Sequence, residues 1–292
     1  MTNILKRIFC RIVNIIIKTD FVKLPTESPY LLDETVFNAG YHSFGNKNAD
    51  KKFYVIWRRN YGSGFFSNYS LVLAHTIKAL EMGCIPVVDF KNFKTLYNKD
   101  YENENAWESY FEKLSPYSLD LVYESKNVYF CDGGFPKGFS FNIPLIDPKR
   151  KYLNLFKIND YVQSFINESI KIDDTYVGIH FRAQEQNQAP GHWFGATYKQ
   201  VERELNKILK KYNLSKVFIV SEEQDAINYF YSKFGENLFF TNSFRSTKSN
   251  SYNMQNIREN HRHKLGLEVL RDAILLSKCK GLIYVSSNVS EY

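Results

Sequence analysis

The chain has 292 residues, 44% hydrophobic and 24% charged, a balance that excludes intrinsic disorder, collagen and coiled coil and allows two domains of ordinary size. Lysine and arginine number 38 against 31 aspartates and glutamates, a formal net charge of +7, which favours anionic partners such as phosphates, nucleotides or acidic lipids. None of the cysteines (Cys10, Cys84, Cys131, Cys279) sits in a C-x-x-C pair, so zinc ribbons and redox motifs are excluded and the four read as reduced thiols.

Residues 1–20 predict a basic amphipathic helix, with Lys6, Arg7, Arg11, Asn14 and Lys18 on one side and Leu5, Ile8, Phe9, Ile12 and Ile16 opposite. It is short of the roughly 20 apolar residues that span a bilayer. Its two open readings are a helix in the plane of an anionic leaflet and a helix docked on the protein's own core. With no small-residue cleavage site, the expected address is cytoplasmic, peripheral on the inner face of the cell membrane if the helix meets lipid.

A loop with Pro25, Pro29, Asp33, Gly40 and Gly45 leads to a buried strand at 53–57, where structure proper is expected to begin. The turn Gly62-Ser63-Gly64, a helix at 68–82, Gly83 and a strand at 85–88 complete a βαβ unit. Aromatic helices are expected around 107–114 and a short strand at 128–131. The stretch 132–157, with Pro136, Pro144 and Pro148, reads as a linker before a helix at 158–170. Strands at 176–180, 216–220, 238–240 and 281–285 then alternate with helices at 198–212, 224–234 and 265–277. The fold class is α/β with parallel sheets, divided into an acceptor-side domain at 21–157 and a nucleotide-binding domain at 158–292.

Such sheets bind ligands beyond the carboxyl ends of their strands, so the residues there are the candidates. His180 and Arg182 share one side of a strand end. The arginine fork suits a diphosphate and the imidazole a base or sugar, with Glu185 placed to hold the arginine or accept a proton. Ser221-Glu222-Glu223 follows the next strand; Ser221 is expected to cap the following helix, and Glu222 is a candidate base. Asp272 interrupts an apolar helix face and needs a partner, which is either the N–H groups of a guanine or a salt bridge to Arg182 or Arg262. Ser286, Ser287 and Asn288 follow the last strand and offer donors to phosphate oxygens. Arg58-Arg59-Asn60-Tyr61-Gly62-Ser63-Gly64 is neither a Walker A loop nor a dinucleotide fingerprint, and turn chemistry and ligand binding explain it equally. There is no H-E-x-x-H, EF-hand loop, G-x-S-x-G elbow or Asp-x-Asp after a strand, so a site without metal is expected.

In order, His180-x-Arg182-x-x-Glu185, Ser221-Glu222-Glu223, Leu265-Gly266 through Asp272 and Ser286-Ser287-Asn288-Val289-Ser290 resemble the GDP-fucosyltransferase superfamily, over about residues 53–292. The resemblance implies a GT-B-like fold of two facing Rossmann-like domains and an inverting, metal-independent transfer from a GDP-sugar, fucose or another such as a heptose, to a glycan acceptor. The context it suggests is bacterial surface polysaccharide synthesis. It implies no cofactor besides the donor substrate. Arg182 would hold the β-phosphate, His180 and Asp272 the guanosine, and Ser286 or Ser287 the diphosphate, with Asn288 among the donor-binding residues. Glu185 is the first candidate for the base and Glu222 the second, because a carboxylate near the acceptor oxygen can take its proton. The sequence departs from the pattern at Ala183, where α1,6 enzymes carry a second arginine, and at Glu185, which replaces an aspartate. It also ends at Tyr292, so the closing helix of the second domain is expected to be missing. Two rivals are a non-catalytic sugar-binding or assembly subunit and a basic nucleic-acid-binding protein. The second lacks an RNP pattern and disperses its basic residues, so no nucleic acid is expected.

Overall fold

The computed structural model describes residues 39–100, 103–138, 154–182, 196–247 and 257–284. The basic helix expected at 1–20 lies outside them.

Two four-stranded sheets organise the described residues. The first contains β1 (Gly40–His42), β2 (Phe53–Ile56), β3 (Ile85–Val88) and β4 (Val128–Phe130) in the order β1-β4-β2-β3. β2 pairs in parallel with both β3 and β4, and β1 closes the edge antiparallel to β4. Among the described residues the first strand therefore comes one strand earlier than expected. β1 is three residues long with two half-buried, and so short a strand carries almost no periodic signal.

The crossover from β2 to β3 is α1 (Phe65–Glu81), which starts three residues before the expected boundary. Gly64 is extended and ends the glycine turn, and Phe65 and Phe66 are already buried in the first turn of the helix. Gly83, with φ +64°, stops it.

The stretch around 107–114 is a correction: it is turns, not helix. The Tyr110 carbonyl accepts from the Asn159 N–H (3.1 Å), and the Glu112 N–H leaves for the Lys157 carbonyl (2.8 Å). Long-range partners thus take the groups that a helix would pair internally. A four-residue helix, α2 (Leu119–Val122), precedes β4.

After α3 (Asp160–Asn167), the second sheet takes β5 (Tyr176–Phe181), β6 (Lys216–Ser221), β7 (Leu238–Phe239) and β8 (Gly281–Tyr284) in the order β7-β6-β5-β8. Every pairing is parallel. The helices between are α4 (Tyr198–Tyr212), α5 (Gln224–Phe234) and α6 (His261–Leu276). β5 and β6 read as nearly unbroken apolar runs because helices cover the faces of a parallel sheet. α4 shows the opposite pattern: Val201, Leu205 and Leu209 are buried, and a capping box of Thr197 with Gln200 fixes its start.

α6 starts four residues before the expected position, and its N-terminal end meets the first half of the chain. Asn260 accepts from the Asp100 N–H (2.7 Å) and gives its own N–H back to the Asp100 carboxylate (2.9 Å). The Tyr110 hydroxyl lies 3.1 Å from the His263 carbonyl. One core cluster accordingly joins residues of both sheets, among them Phe53, Tyr110, Phe218 and Leu270. Cys84 and Cys131 are buried and Cys279 half-buried, all free thiols, and burial pushes the Cys131 thiol up to about 12.

Candidate functional site

β5 and β6 lie side by side with His180 paired to Val220 and Phe181 to Ser221, so the residues that leave the two strands are neighbours. His180 is the next-to-last residue of β5, and Arg182 follows the strand directly. Alternation along the strand puts both on one side. Nδ1 of His180 is buried and makes no hydrogen bond among the described residues; burial, then the charge of Arg182, pull the imidazole down to about 4. It is therefore neutral at neutral pH. Burial also lowers Arg182, against the carboxylate of Glu222, which favours its charge. A partly desolvated guanidinium next to one carboxylate, at the carboxyl end of a parallel strand, suits an anion.

Tyr97 reaches this neighbourhood from the first half of the chain. Its ring is buried, and burial raises the phenol, which also feels Arg262 and Glu222. Its hydroxyl oxygen accepts the N–H of Phe65 (2.9 Å), the first residue of α1. That bond ties the segment after β3 to the start of α1. Sequence reasoning missed Tyr97, and it offered Arg262 only as a partner for Asp272. Tyr97 carries no local signal, and Arg262 lies in the first turn of α6, which starts four residues before the expected helix.

The glycine turn is organised by Arg58. Its Nε and Nη2 donate to the Ser63 hydroxyl (2.9 and 2.6 Å), and Nη2 also reaches Ser67 (3.2 Å). The guanidinium stacks on Phe135 at 5.0 Å. Gly62 N–H bonds the Asn60 side chain and Ser63 N–H the Asn60 carbonyl, so turn chemistry accounts for the segment's shape.

Ser221 is a second correction. It is the last residue of β6, and the N-cap of α5 is Glu223, which makes no side-chain capping bond. The Ser221 hydroxyl instead accepts from Glu223 N–H (3.2 Å), tightening the turn that presents Glu222.

Asp272 has the partner its buried position demanded, and that partner is neither Arg182 nor Arg262. Oδ1 accepts from Arg271 Nε (2.9 Å) and the Thr241 hydroxyl (2.9 Å), and Oδ2 from the Ser243 hydroxyl (2.7 Å). Burial raises the carboxyl, opposed by Arg271 and the two hydroxyls.

Of the residues expected in the site, the structure brings His180, Arg182 and Glu222 together and puts Asp272 in a network of its own. Glu185, Ser286, Ser287, Asn288 and the acceptor loop 186–195 with His192 and Trp193 lie outside the described residues. Among the described residues no cluster of histidine, cysteine or carboxylate side chains could hold a metal ion, and no helix is long and apolar enough to cross a membrane.

No protein-family model matches the chain, and no curated protein does. Solved structures do. A NodZ α-1,6-fucosyltransferase whose crystal was soaked with GDP-fucose is 16% identical, covering 83% of this chain and 91% of its own, with a TM-score of 0.53. A Bradyrhizobium NodZ fucosyltransferase structure is likewise 16% identical over 83% and 92%, with a TM-score of 0.49. The first of these likenesses shows that the chain shares the fold of a fucosyltransferase.

Proposed function

We propose that the protein is a glycosyltransferase that moves a sugar from a GDP-sugar to a glycan acceptor, with its two sheets forming the two lobes of a GT-B-like enzyme. The observation that carries this reading is the desolvated Arg182 at the carboxyl end of β5, next to Glu222 and the neutral His180. A fold likeness to a fucosyltransferase supports it.

In this reading the pyrophosphate lies against Arg182 and the nucleoside near His180. As the bond from the anomeric carbon to the diphosphate breaks, negative charge grows on the leaving phosphate. A fixed guanidinium stabilises that charge more than the ground state, and most strongly where water is scarce. The acceptor hydroxyl attacks the opposite face with inversion and gives its proton to a carboxylate. Glu222 and Glu185 are the two candidates. Glu222 already favours the charge of Arg182, so in the free protein it serves first to hold that side chain. The basic segment 1–20 would bring the enzyme to an anionic membrane surface where lipid-linked acceptors reside.

Calorimetric titration of GDP into the wild type and Arg182→Ala tests the assignment. A charged hydrogen bond lost on the phosphate costs about 1.5–3 kcal/mol, so affinity should fall about 10- to 150-fold while the melting curve stays cooperative. Equal affinity for GDP in the two proteins refutes it. Release of GDP from a panel of GDP-sugars, given an acceptor, then identifies the donor.

A further inference from the structure

Glu268 and Asp272 lie one turn apart on α6, are both buried, and both bond to the segment Thr241–Ser246 that follows β7. Asp272 takes the hydroxyls of Thr241 and Ser243. Glu268 accepts the backbone N–H of Phe244 (3.2 Å) and is itself held by a two-pronged salt bridge from Arg258 (2.7 and 2.8 Å). Arg271, 3% exposed, donates to Asp272, to the Asn242 side chain (3.1 Å) and to Ser243 Oγ (2.6 Å). Arg245 closes the segment on itself by donating to the Thr241 and Ser243 carbonyls (2.7 and 3.0 Å).

The far end of this segment reaches the candidate site. Ser246 N–H bonds the Glu222 carbonyl (2.7 Å), and the Ser246 carbonyl accepts from Gln224 N–H (3.0 Å), a parallel bridge beside the end of β6. Buried ion pairs seldom outperform apolar residues of equal volume in stability, and their best-attested use is to select one conformation. Here the conformation selected is that of a loop whose last residue is hydrogen-bonded to the backbone that presents Glu222 beside Arg182.

From this we infer that Asp272 and Glu268 are positioning residues: they fix the 241–246 loop, and through Ser246 the backbone of Glu222, instead of touching the nucleotide. The inference rests on the nucleotide site proposed above. It also reassigns Asp272, whose two oxygens already accept three bonds from its own chain.

The test compares Asp272→Asn with the double variant Thr241→Val/Ser243→Ala, which removes the loop's side of the same bonds. Amide hydrogen exchange at Ser246 and calorimetric GDP affinity are read for both and for the triple variant. The expected result is a rise of tenfold or more in Ser246 exchange in both variants, weaker GDP binding in both, and a triple variant no worse than Asp272→Asn alone. Direct contact with the base predicts the opposite pattern and would overturn the inference: Asp272→Asn loses GDP affinity tenfold, Ser246 exchange stays at the wild-type rate, and the double variant binds normally. If the wild type binds no GDP, the functional reading fails by itself. Ser246 exchange still decides the role of Asp272, supporting it by a rise in Asp272→Asn and overturning it if unchanged.

Discussion

Tyr110 lies so close to Gly266 that a Cβ on the glycine would stand 2.6 Å from the phenol oxygen and 2.8 Å from the carbon that bears it. The ring cannot retreat, because it is 2% exposed and its hydroxyl contacts the Tyr97 carbonyl (2.9 Å) and Nδ1 of His263 (3.0 Å). A residue of the first half is thus keyed into a notch on α6, where the two halves meet.

Gly266→Ala should therefore destabilise the protein, although alanine is the better helix former by about 1 kcal/mol. Overpacking at a fixed neighbour costs about 1–3 kcal/mol and outweighs that gain. Urea denaturation should show a lower midpoint, and the loss should shrink in a Tyr110→Phe background, where the nearest atom is gone. A gain in stability on Gly266→Ala would show that the contact yields.

His75 links α1 to the turn that follows β4. Its Nε2 lies 2.7 Å from the Gly134 carbonyl, which can only accept, so Nε2 carries the proton and Nδ1 accepts from the Tyr54 hydroxyl (2.9 Å). His75→Phe leaves that hydroxyl and that carbonyl without partners, at about 1–3 kcal/mol for each buried group. Tyr54→Phe in the same background should recover part of the loss, since it removes one orphan. Denaturation midpoints of the two single variants and the double variant check this; strictly additive losses would contradict it.

His180 sets a pH dependence. Its folded value, about 4, is below the ordinary 6.5, so between those values the unfolded chain binds a proton that the folded chain refuses. Stability from this group is complete above 6.5 and is lost as pH falls toward 4. Relative to His180→Asn, the wild type should lose on the order of 1–2 kcal/mol between pH 7 and pH 5. Parallel stability curves for the two proteins over that range would mean that the imidazole is not held neutral.

Much of the second sheet was legible in the sequence. β5, β6 and β8 and helices α4 and α5 fall where the sequence pattern puts them: β5 and β6, buried on both faces, read as apolar runs, and α4 has a sharp apolar stripe with a cap. His180 and Arg182 were found by the rule that ligands gather beyond strand ends. Elements whose identity depends on distant partners were not legible. β1 exists because β4 offers it an edge, and the aromatic stretch after Asn105 is turns because Lys157 and Asn159 take backbone hydrogen bonds from it.

The sequence alone determined that the chain is α/β with a parallel second sheet, and which strand ends carry charge. Both follow from local spacing, since hydrophobic periodicity is a property of neighbours along the chain. Only the tertiary structure decided the partners: that Asp272 serves Thr241, Ser243 and Arg271, that Tyr97 comes from the other half to stand near Glu222, and that Tyr110 fits a glycine of α6. A buried charge requires a donor, yet nothing in its neighbouring residues says which of many distant donors the fold will supply.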